Sequence, residues 1–453
     1  MKPLPPPVPG KRHFYIAPYT LRLFAGCLLY LSTAPGPVAS EDRYRFDAPE
    51  CIHTDSQMTE IELANGIGSR SGYNPYVDHS LWAVRQPGGT RRFYYRSMLH
   101  QSYHEGHIAD RSFFGNVVAK TLYLREYTDS WKNPMRKRFR GVAWPREVRK
   151  PPWGIPTDQM EFVSNVYALS EKELIGFVHA ERCVSGLLGD ESDPSRILDR
   201  LYAIGISRST NGGRTWTYCG DAVLPHWDAI GDTTTVVGGS VQNVLSNIGG
   251  IPYLVVPDTG AGKMVYLYFN ELPDLTSAYY PAVARAPLDS VVAYARRGRV
   301  ATAQWKKLGA GGWTESALYG CGRRALPPEP PECVYDTHAD ATFCSATGEY
   351  LLMVDKVDSG SYPDSTRCSL LLFSSSDGVE WRLAAELDRS CRYHSVYASF
   401  IGEPEDCSID DHVVGTDFSI VYARRPLIGK CFDYAHPDLY MIRVHASTGR
   451  GTD

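Results

Sequence analysis

The stretch STNGGRTW, residues 209–216, joins two strand-like runs and places two adjacent glycines shortly before a tryptophan. A similar stretch, SSDGVEW, occupies residues 375–381. In both, a short polar side chain can hydrogen-bond the backbone of its own turn, glycine accepts a positive φ, and tryptophan packs back onto a strand. The two stretches therefore predict tight turns between neighbouring strands.

Pairs of strand-like runs surround these turns and recur along the chain, at 78–98, 161–181, 251–271, 340–357 and 395–426. Most of these units start roughly 80 to 90 residues apart, and a long period of strand pairs favours sheets packed around an axis. We predict an all-β fold, a five-bladed β-propeller of four-stranded antiparallel blades. Two tandem β-sandwiches are the alternative, although no linker rich in proline and serine divides the middle of the chain.

The quoted stretches also resemble motifs of known families. STNGGRTW resembles the Asp-box S-x-D-x-G-x-x-W of sialidases and related propellers, with Asn211 in place of the aspartate, and SSDGVEW resembles a box one residue shorter. The runs NIGGIPYLVV and THADATF, with those that follow them, resemble the five-bladed propellers of furanosidase-type glycoside hydrolases such as arabinanases. This resemblance covers roughly residues 73–425. It implies an inverting glycoside hydrolase.

The charge balance and the N-terminal segment indicate which partners and which location to expect for the protein. With 47 Lys plus Arg, 51 Asp plus Glu and a net charge of −4, the chain has no basic excess that would favour nucleic acid. Residues 1–40 combine basic residues, the apolar run LFAGCLLYL at 23–31 and a small-residue cleavage site, which predicts a signal peptide. We expect a secreted or extracytoplasmic monomer with one propeller domain at 41–453 and no membrane span. Lipid attachment at Cys27 is a less favoured alternative.

Cysteine usage agrees with export. Of the 11 cysteines, all except Cys27 lie beyond the signal segment, and such a set in an exported chain predicts disulfides. The nearest local pairs are Cys183–Cys219, Cys321–Cys333 and Cys344–Cys368, although spacing alone leaves the connectivity open. The absence of a CxxC pair disfavours zinc, and we predict neither a metal nor another cofactor.

Hydrolysis of a glycosidic bond requires two carboxyl groups, one to protonate the leaving oxygen and one to activate water or attack carbon. Asp78 opens the first unit, where the resembled enzymes carry their base. Asp340, in YDTHADATF, is a candidate catalytic or proton-tuning carboxylate. Glu181, in GFVHAERC, is a candidate general acid, and Glu271 is a reserve. The alternatives are a turn residue for Asp78, a solvated edge for Asp340 and an arginine ion pair for Glu181.

Polar and aromatic residues near these acids are candidates for binding sugar. Asp336, His338 and Asp340 alternate and so project to one face of an extended segment, as His179 and Glu181 do. The aromatic candidates, which could equally be core residues, are Trp82, Tyr253 and Tyr397.

The chemistry of the chain leaves more than one function open. The basic segment 131–153 is either a solvated loop or a rim that attracts acidic polysaccharide. We predict an exported glycoside hydrolase acting on an oligo- or polysaccharide. A lectin-like propeller without catalysis is the alternative, and a protein-interaction propeller is a third possibility.

Overall fold

The structure is a computed structural model. It describes residues 43–53, 82–85, 91–96, 103–108, 122–127, 156–184, 200–213, 216–226, 235–237, 240–242, 251–258, 260, 262–272, 280–329, 333–358, 367–402, 412–428, 431–432 and 438–447. Within 82–127 it describes the strands by their backbone alone. The predicted signal segment, Asp78 and the basic segment 131–153 lie outside the described residues.

The described chain consists mainly of β-strands, numbered here along the chain. Near the N-terminus are β1 (Tyr44–Phe46) and β2 (Glu50–His53). Sheet I contains β3 (Trp82–Arg85), β4 (Arg91–Arg96), β5 (Tyr103–Ile108) and β6 (Leu122–Tyr127). Sheet II contains β7 (Pro156–Ala168), β8 (Leu174–Val184), β9 (Arg200–Ser209) and β10 (Thr217–Val223). A separate hairpin consists of β11 (Thr235–Val237) and β12 (Ser240–Gln242).

Three further sheets complete the described chain. Sheet III contains β13 (Tyr253–Asp258), β14 (Gly262–Glu271), β15 (Tyr280–Pro287), β16 (Lys306–Gly309) and β17 (Gly312–Ser316). Sheet IV contains β18 (Cys333–Asp336), β19 (Ala341–Cys344), β20 (Glu349–Asp358), β21 (Arg367–Ser375) and β22 (Arg382–Ser390). Sheet V contains β23 (Tyr393–Gly402), β25 (Asp417–Ile428), β26 (Cys431–Phe432) and β27 (Asp438–Ala446), together with β1 and β2, while β24 (Val413–Val414) pairs with β19.

These sheets are arranged as the blades of a β-propeller. In sheets II and III, strands that follow one another in the chain lie side by side, and the main strands of sheet IV (β19 to β22) and of sheet V (β23, β25 and β27) do the same. Each sheet therefore grows outward from its inner strand, which is β7, β13, β19 or β23. The inner strands lie next to one another: β13 contacts β19, and β19 contacts β23. The Tyr253 hydroxyl, at the start of β13, donates to the Val166 carbonyl of β7 over 2.7 Å. The inner strands therefore line a common axis.

The two ends of the described chain meet in sheet V. There β1 pairs antiparallel with β27, with Tyr44 opposite Ala446. The N-terminal strand thus forms the outer strand of a sheet whose other main strands come from the C-terminus. This pairing covers an edge that would otherwise expose unpaired backbone groups.

The number of blades with described cores is smaller than the sequence predicted. Every predicted strand pair forms a hairpin, including that of residues 78–98, which contributes β3 and β4. Side chains and their packing are described in sheets II to V, so four blades are established instead of the five predicted. Sheet I is described by its backbone alone and is not counted among the four.

The core lies between consecutive sheets. Phe177 of sheet II and Leu267 of sheet III belong to one buried cluster, and Tyr268 and Leu352 join sheets III and IV in another. A third cluster lies between sheets IV and V. Because both faces of these sheets are covered, their strands have continuous apolar sequences. Each fully buried large side chain contributes roughly 1.5–3 kcal/mol of transfer free energy.

One α-helix, α1 (Leu288–Arg296), follows β15 and seals the cluster between sheets II and III. It places Val291, Val292 and Ala295 in that cluster. Asp289 in its first turn and Arg296 in its last turn match the helix dipole. A short 3-10 helix (Thr302–Gln304) then leads into β16.

The two turns that opened the sequence analysis share a hydrogen-bonding pattern. The Ser209 hydroxyl accepts from the Gly213 amide over 2.9 Å, and the Ser375 hydroxyl accepts from the Gly378 amide over the same distance. Gly378 has a φ of 72°. Each turn joins the last two strands of its sheet, and Trp216 and Trp381 are buried at 6% and 7% exposure. Both predicted turns form. Their assignment as Asp-boxes stays a prediction.

The three predicted disulfide pairs are not formed. Cys219, Cys321 and Cys344 are free thiols, and the Cys219 thiol instead lies 3.6 Å from the Ala295 carbonyl. Cys344 lies opposite Glu349 of β20, whereas Cys368 lies opposite Val357, so the two are near opposite ends of sheet IV. Closeness in sequence was a poor guide because antiparallel strands carry successive residues away from one another.

Candidate active site

Bulges interrupt two inner strands, β7 and β23, and a longer irregularity precedes a third, β19. In β7, Val163 pairs with Val178 and Asn165 with Phe177, which leaves Ser164 as an extra residue. In β23 a similar irregularity lies between Val396 and Ser399. Bulges bend a strand locally and re-aim its side chains, and they are common beside active sites.

The largest irregularity separates β18 from β19. Asp336 pairs with Asp355, and Ala341 pairs with Leu352, so residues 337–340 on one side stand opposite only 353–354 on the other. These inserted residues are Thr-His-Ala-Asp, the polar run singled out in the sequence. The extra length moves this run out of the regular ladder and toward the neighbouring inner strands.

Asp340 ends this run and connects three blades. Its carboxylate accepts from the Ala341 amide over 2.9 Å, from Asn165 Nδ2 of β7 over 3.3 Å and from the Phe400 amide of β23 over 3.1 Å. The residue is 5% exposed. Burial raises the pKa of Asp340, opposed in part by His412 and by these hydrogen bonds. Both oxygens are bound by the protein, so Asp340 acts as a structural link.

Asp336, at the other end of the run, is a carboxylate held in its charged form. It accepts from the Asn270 side-chain amide over 3.0 Å and from the His338 backbone amide over 3.0 Å, and it also contacts the His338 ring. Burial by itself would raise the pKa of Asp336, but His338 and Asn270 together outweigh it and lower that pKa. The side chain keeps 23% exposure, enough for contact with solvent.

Asp355 is the cross-strand partner of Asp336, and its pKa is shifted in the opposite direction. It is 2% exposed, and its Oδ1 has no hydrogen-bond partner among the described residues. Burial, followed by the charge of Asp336, raises the pKa of Asp355 well above its usual value, against a hydrogen bond from the Tyr397 backbone. The environment therefore favours the protonated form of Asp355 and the ionised form of Asp336, the kind of divergence that marks acid and base assignments in enzymes.

Histidines and an arginine surround this carboxyl pair. The His338 ring lies 6.5 Å from the ring of His179 on β8 and 6.0 Å from that of Tyr397 on β23. Burial lowers the pKa of His394 to about 4, so this ring is neutral at neutral pH. The Arg425 guanidinium lies 4.6 Å from the centre of the Tyr397 ring. Sheets II, IV and V thus all contribute to one polar group, which we call the Asp336 cluster.

The structure brings together much of the predicted site. Asp336, His338, His179 and Tyr397 lie in the Asp336 cluster, with Asp340 at the far end of the inserted run. Tyr397 has a φ of 58°, unusual for a residue with a side chain, and lies at the bulge of β23.

The remaining candidates lie elsewhere or outside the description. Tyr253 is fully buried with its hydroxyl on the Val166 carbonyl, so it is a core residue and no platform for sugar. Glu271 forms a buried ion pair with Lys307. Glu181 on β8 and Trp82 on β3 are described in their backbone only, and Asp78 lies outside the described residues.

Sequence reasoning missed Asp355, His394 and Arg425. For Asp355 a signal existed, since this aspartate directly follows the apolar run YLLMV at 350–354, all of which is buried. His394 and Arg425 gave no such signal, because their proximity depends on the pairing of β23 with β25.

The described residues include no group of three or more His, Cys, Asp or Glu side chains arranged to hold a metal ion. Among them, no helix has the length and apolar character needed to cross a bilayer.

Comparison with known proteins finds resemblance in structure only. No family profile matches the chain, and no curated protein matches its sequence. Among solved structures it is similar to the catalytic domain of a GH62 alpha-L-arabinofuranosidase of Coprinopsis cinerea, at 10% identity and a TM-score of 0.41 over 90% of this chain and 98% of that chain.

Two further solved structures that are similar to this chain are named as two different enzymes. The Cellvibrio cellulosa alpha-L-arabinanase is 10% identical, with a TM-score of 0.31 over 78% of this chain and 87% of that chain. An N-acetylgalactosamine deacetylase from F. plautii is 9% identical, with a TM-score of 0.38 over 84% of this chain and 92% of that chain. Scores of this size assign no function, which has to come from the site itself.

Proposed function

We propose that this protein is a glycoside hydrolase acting on an oligo- or polysaccharide. The observation that carries the proposal is the Asp336–Asp355 pair, in which the environment shifts the pKa values of two cross-strand carboxyls, on β18 and β20 of one propeller blade, in opposite directions. In such a pair one carboxylate stays ionised and can act as the base that hydrolysis of an acetal requires.

In the proposed reaction Asp336 is the base. Its ionised carboxylate takes a proton from water as the water oxygen attacks the anomeric carbon, and a carboxylic acid donates a proton to the departing glycosidic oxygen. The sum is addition of water across the bond, with the enzyme returned to its starting charge after proton exchange with solvent. Asp355 stays protonated and positions Asp336, since its own burial keeps it away from substrate.

For the acid we propose Glu181, with Asp78 as the second candidate. Glu181 lies two positions along β8 from His179, whose ring reaches the Asp336 cluster. An acid and a base on different blades would leave room for a water molecule between them, the arrangement of an inverting enzyme. Inversion is also what the resemblance to arabinanases implies.

The test compares two classes of substrate. Wild type is assayed on a panel of furanosides, pyranosides and polysaccharides, and on the matching dinitrophenyl glycosides, whose leaving group needs no protonation. Asp336→Asn should lower kcat by about 10²- to 10⁴-fold on both classes, whereas Glu181→Gln should lose activity on natural glycosides and keep it on dinitrophenyl glycosides. The Asp258→Asn variant, in an ion pair with Arg285, is the matched control and should stay active.

Two results would contradict the proposal. Absence of sugar release by the wild type across the panel would exclude the hydrolase, and full activity of Asp336→Asn would exclude the named base. If Glu181→Gln behaves like wild type while Asp78→Asn shows the leaving-group dependence, the acid is Asp78.

A second candidate function is carbohydrate binding without catalysis. The 2% exposure of Asp355 favours it, because a proton held that deeply is remote from any bound sugar. In that case oligosaccharides bind to the wild type and to Asp336→Asn with similar affinity, and neither releases product.

We also propose that sheet I is a fifth blade. One face of sheet II is a buried cluster that includes Val163, Leu174 and Val178, separate from the cluster shared with sheet III. Strand β3 lies beside β7, where a further blade would cover that face. Amide exchange in residues 82–127 should then be as slow as in sheets II to V, and rapid exchange throughout that segment would contradict a fifth blade.

Export is likewise a proposal. The first described strand, β1, begins at Tyr44, shortly after the predicted cleavage site at Ala39 and Ser40. Mass spectrometry of the protein from the medium or periplasm should find an N-terminus near Ser40. An intact N-terminus on a protein retained in the cytoplasm would contradict export.

A further inference from the structure

A cavity of about 570 Å³ lies at the end of the inner strands remote from Asp336. Its walls come from the last residues of β7, including Tyr167, from Leu254 and Val255 of β13, and from Phe343 of β19. Asp336, by contrast, precedes β19 in the chain. The cavity is therefore separate from the Asp336 cluster, and its size is within the usual range of about 300–1,000 Å³ for sites that bind small molecules.

Aromatic and aliphatic side chains form most of this cavity. The rings of Phe343 and Tyr350 lie 5.1 Å apart with their planes tilted by 53°, and Tyr167 stands on the β7 side. Aromatic walls of this kind favour a planar ring, which they can contact by its face or its edge. Among the described residues no carboxylate, side-chain amide or guanidinium group lines the cavity, and its polar side chains are Tyr167, Tyr350, Lys263 and His412.

A cation supplies the second element of recognition. Lys263, at the start of β14, lines the cavity and has no ion-pair partner among the described residues. His412 also lines it, next to the Tyr253 hydroxyl at 2.9 Å. The nearest acidic residue in sequence, Asp258, faces Arg285 instead, at 3.7 Å. The His412 Nε2 atom lies 3.8 Å from the Asp340 carboxylate, which does not itself line the cavity. Lys263 is therefore the group of the lining that can attract an anion.

We propose that this cavity binds a small aromatic carboxylate of one or two rings, with the ring between Tyr167, Phe343 and Tyr350 and the carboxylate near Lys263. The proposal is independent of the activity at Asp336, because it rests on different residues at the other end of the strands.

Calorimetric titration with 2-naphthoate tests the proposal, with uncharged 2-naphthamide and a simple hexose as comparison ligands. Wild type should bind 2-naphthoate more tightly than 2-naphthamide and should not bind the hexose. Lys263→Gln should lower the affinity for 2-naphthoate by up to about fivefold at low salt, which is the range of an exposed ion pair. The same variant should leave the affinity for 2-naphthamide unchanged. Lys263→Arg should restore the affinity.

Two further variants separate the cavity from general surface effects. Val413→Trp, which fills the cavity from β24, should abolish binding of both naphthalene ligands. Lys306→Gln, on β16 and away from the cavity, is the matched control and should bind like wild type. The proposal is overturned if 2-naphthoate does not bind, if Val413→Trp binds it as well as wild type does, or if Lys263→Gln and Lys306→Gln behave alike.

Discussion

The buried ion pair between Lys307 and Glu271 gives the sharpest prediction on stability. Both side chains are fully buried. Lys307 Nζ donates to Glu271 over 2.6 Å, to the Leu224 carbonyl over 2.8 Å and to the Gly320 carbonyl over 2.7 Å. Every ammonium proton is therefore used inside the protein, in a network that joins sheet III to the segments before and after it.

Lys307→Met removes the charge and the three donated bonds while keeping a similar volume. It leaves the Glu271 carboxylate buried without its cation, which costs about 3–5 kcal/mol when one partner of a buried pair is removed. Since a domain has about 5–15 kcal/mol of stability in total, the loss is a large fraction of it. Urea unfolding followed by tryptophan fluorescence measures the loss as a change in the free energy of unfolding.

Two further variants test the reasoning. Lys306→Met, the adjacent and half-buried residue, should change the free energy of unfolding by no more than about 0.5–1 kcal/mol. Lys307→Met combined with Glu271→Gln removes the unpaired charge and keeps an acceptor for the His226 amide, so it should be more stable than Lys307→Met alone. A cost below about 1 kcal/mol for Lys307→Met would refute the view that this pair is dry and tightly coupled.

Three other predictions concern the turns and the Asp336 cluster. Gly378→Ala should lower the free energy of unfolding by more than Gly262→Ala does. Both glycines have a positive φ, which costs an L-residue about 1–2 kcal/mol. A Cβ on Gly378 would also lie 3.2 Å from the Tyr268 hydroxyl, whereas a Cβ on Gly262 meets nothing within 4 Å. Because the folded state raises the pKa of Asp355, wild type should lose stability relative to Asp355→Asn as pH rises above about 4, measured as the melting temperature against pH; parallel curves would contradict this. Because the pKa of His394 falls to about 4 on folding, wild type should lose stability relative to His394→Gln as pH falls from about 6.5 toward 4. If the difference between the two melting temperatures stays constant over that interval, the ring is not buried in its neutral form.

The fold was readable from the chain because its signals are local. A strand pair with a turn between its members needs only neighbouring residues, and all the predicted hairpins form. The turn at residues 375–381 needs a glycine that tolerates a φ of 72°, and Gly378 supplies it. The run Thr337–Asp340 was likewise recognisable, since polar residues before an apolar strand are uncommon.

The site was only partly readable, because its composition depends on register. Asp336 and His338 were found together since they are close in sequence, but Asp355 joins them through the pairing of β18 with β20. The burial of Tyr253, a predicted sugar platform, was unreadable for a similar reason. An aromatic residue at the start of a strand looks the same in sequence whether its face is open or covered, and here the hydroxyl finds the Val166 carbonyl of another blade.

By itself, then, the sequence determined the all-β architecture, the hairpins and the polar run at residues 337–340, which precedes the inner strand of sheet IV. These features were readable because turn chemistry and apolar patterning act between near neighbours. Only the tertiary structure decided in which direction the pKa of each carboxyl is shifted. Asp340 and Asp336 are four residues apart in one polar run, yet the first is enclosed by three blades and the second is held by Asn270 and His338. Their pKa values move in opposite directions because burial dominates at Asp340, whereas at Asp336 the neighbouring His338 and the distant Asn270 together outweigh burial.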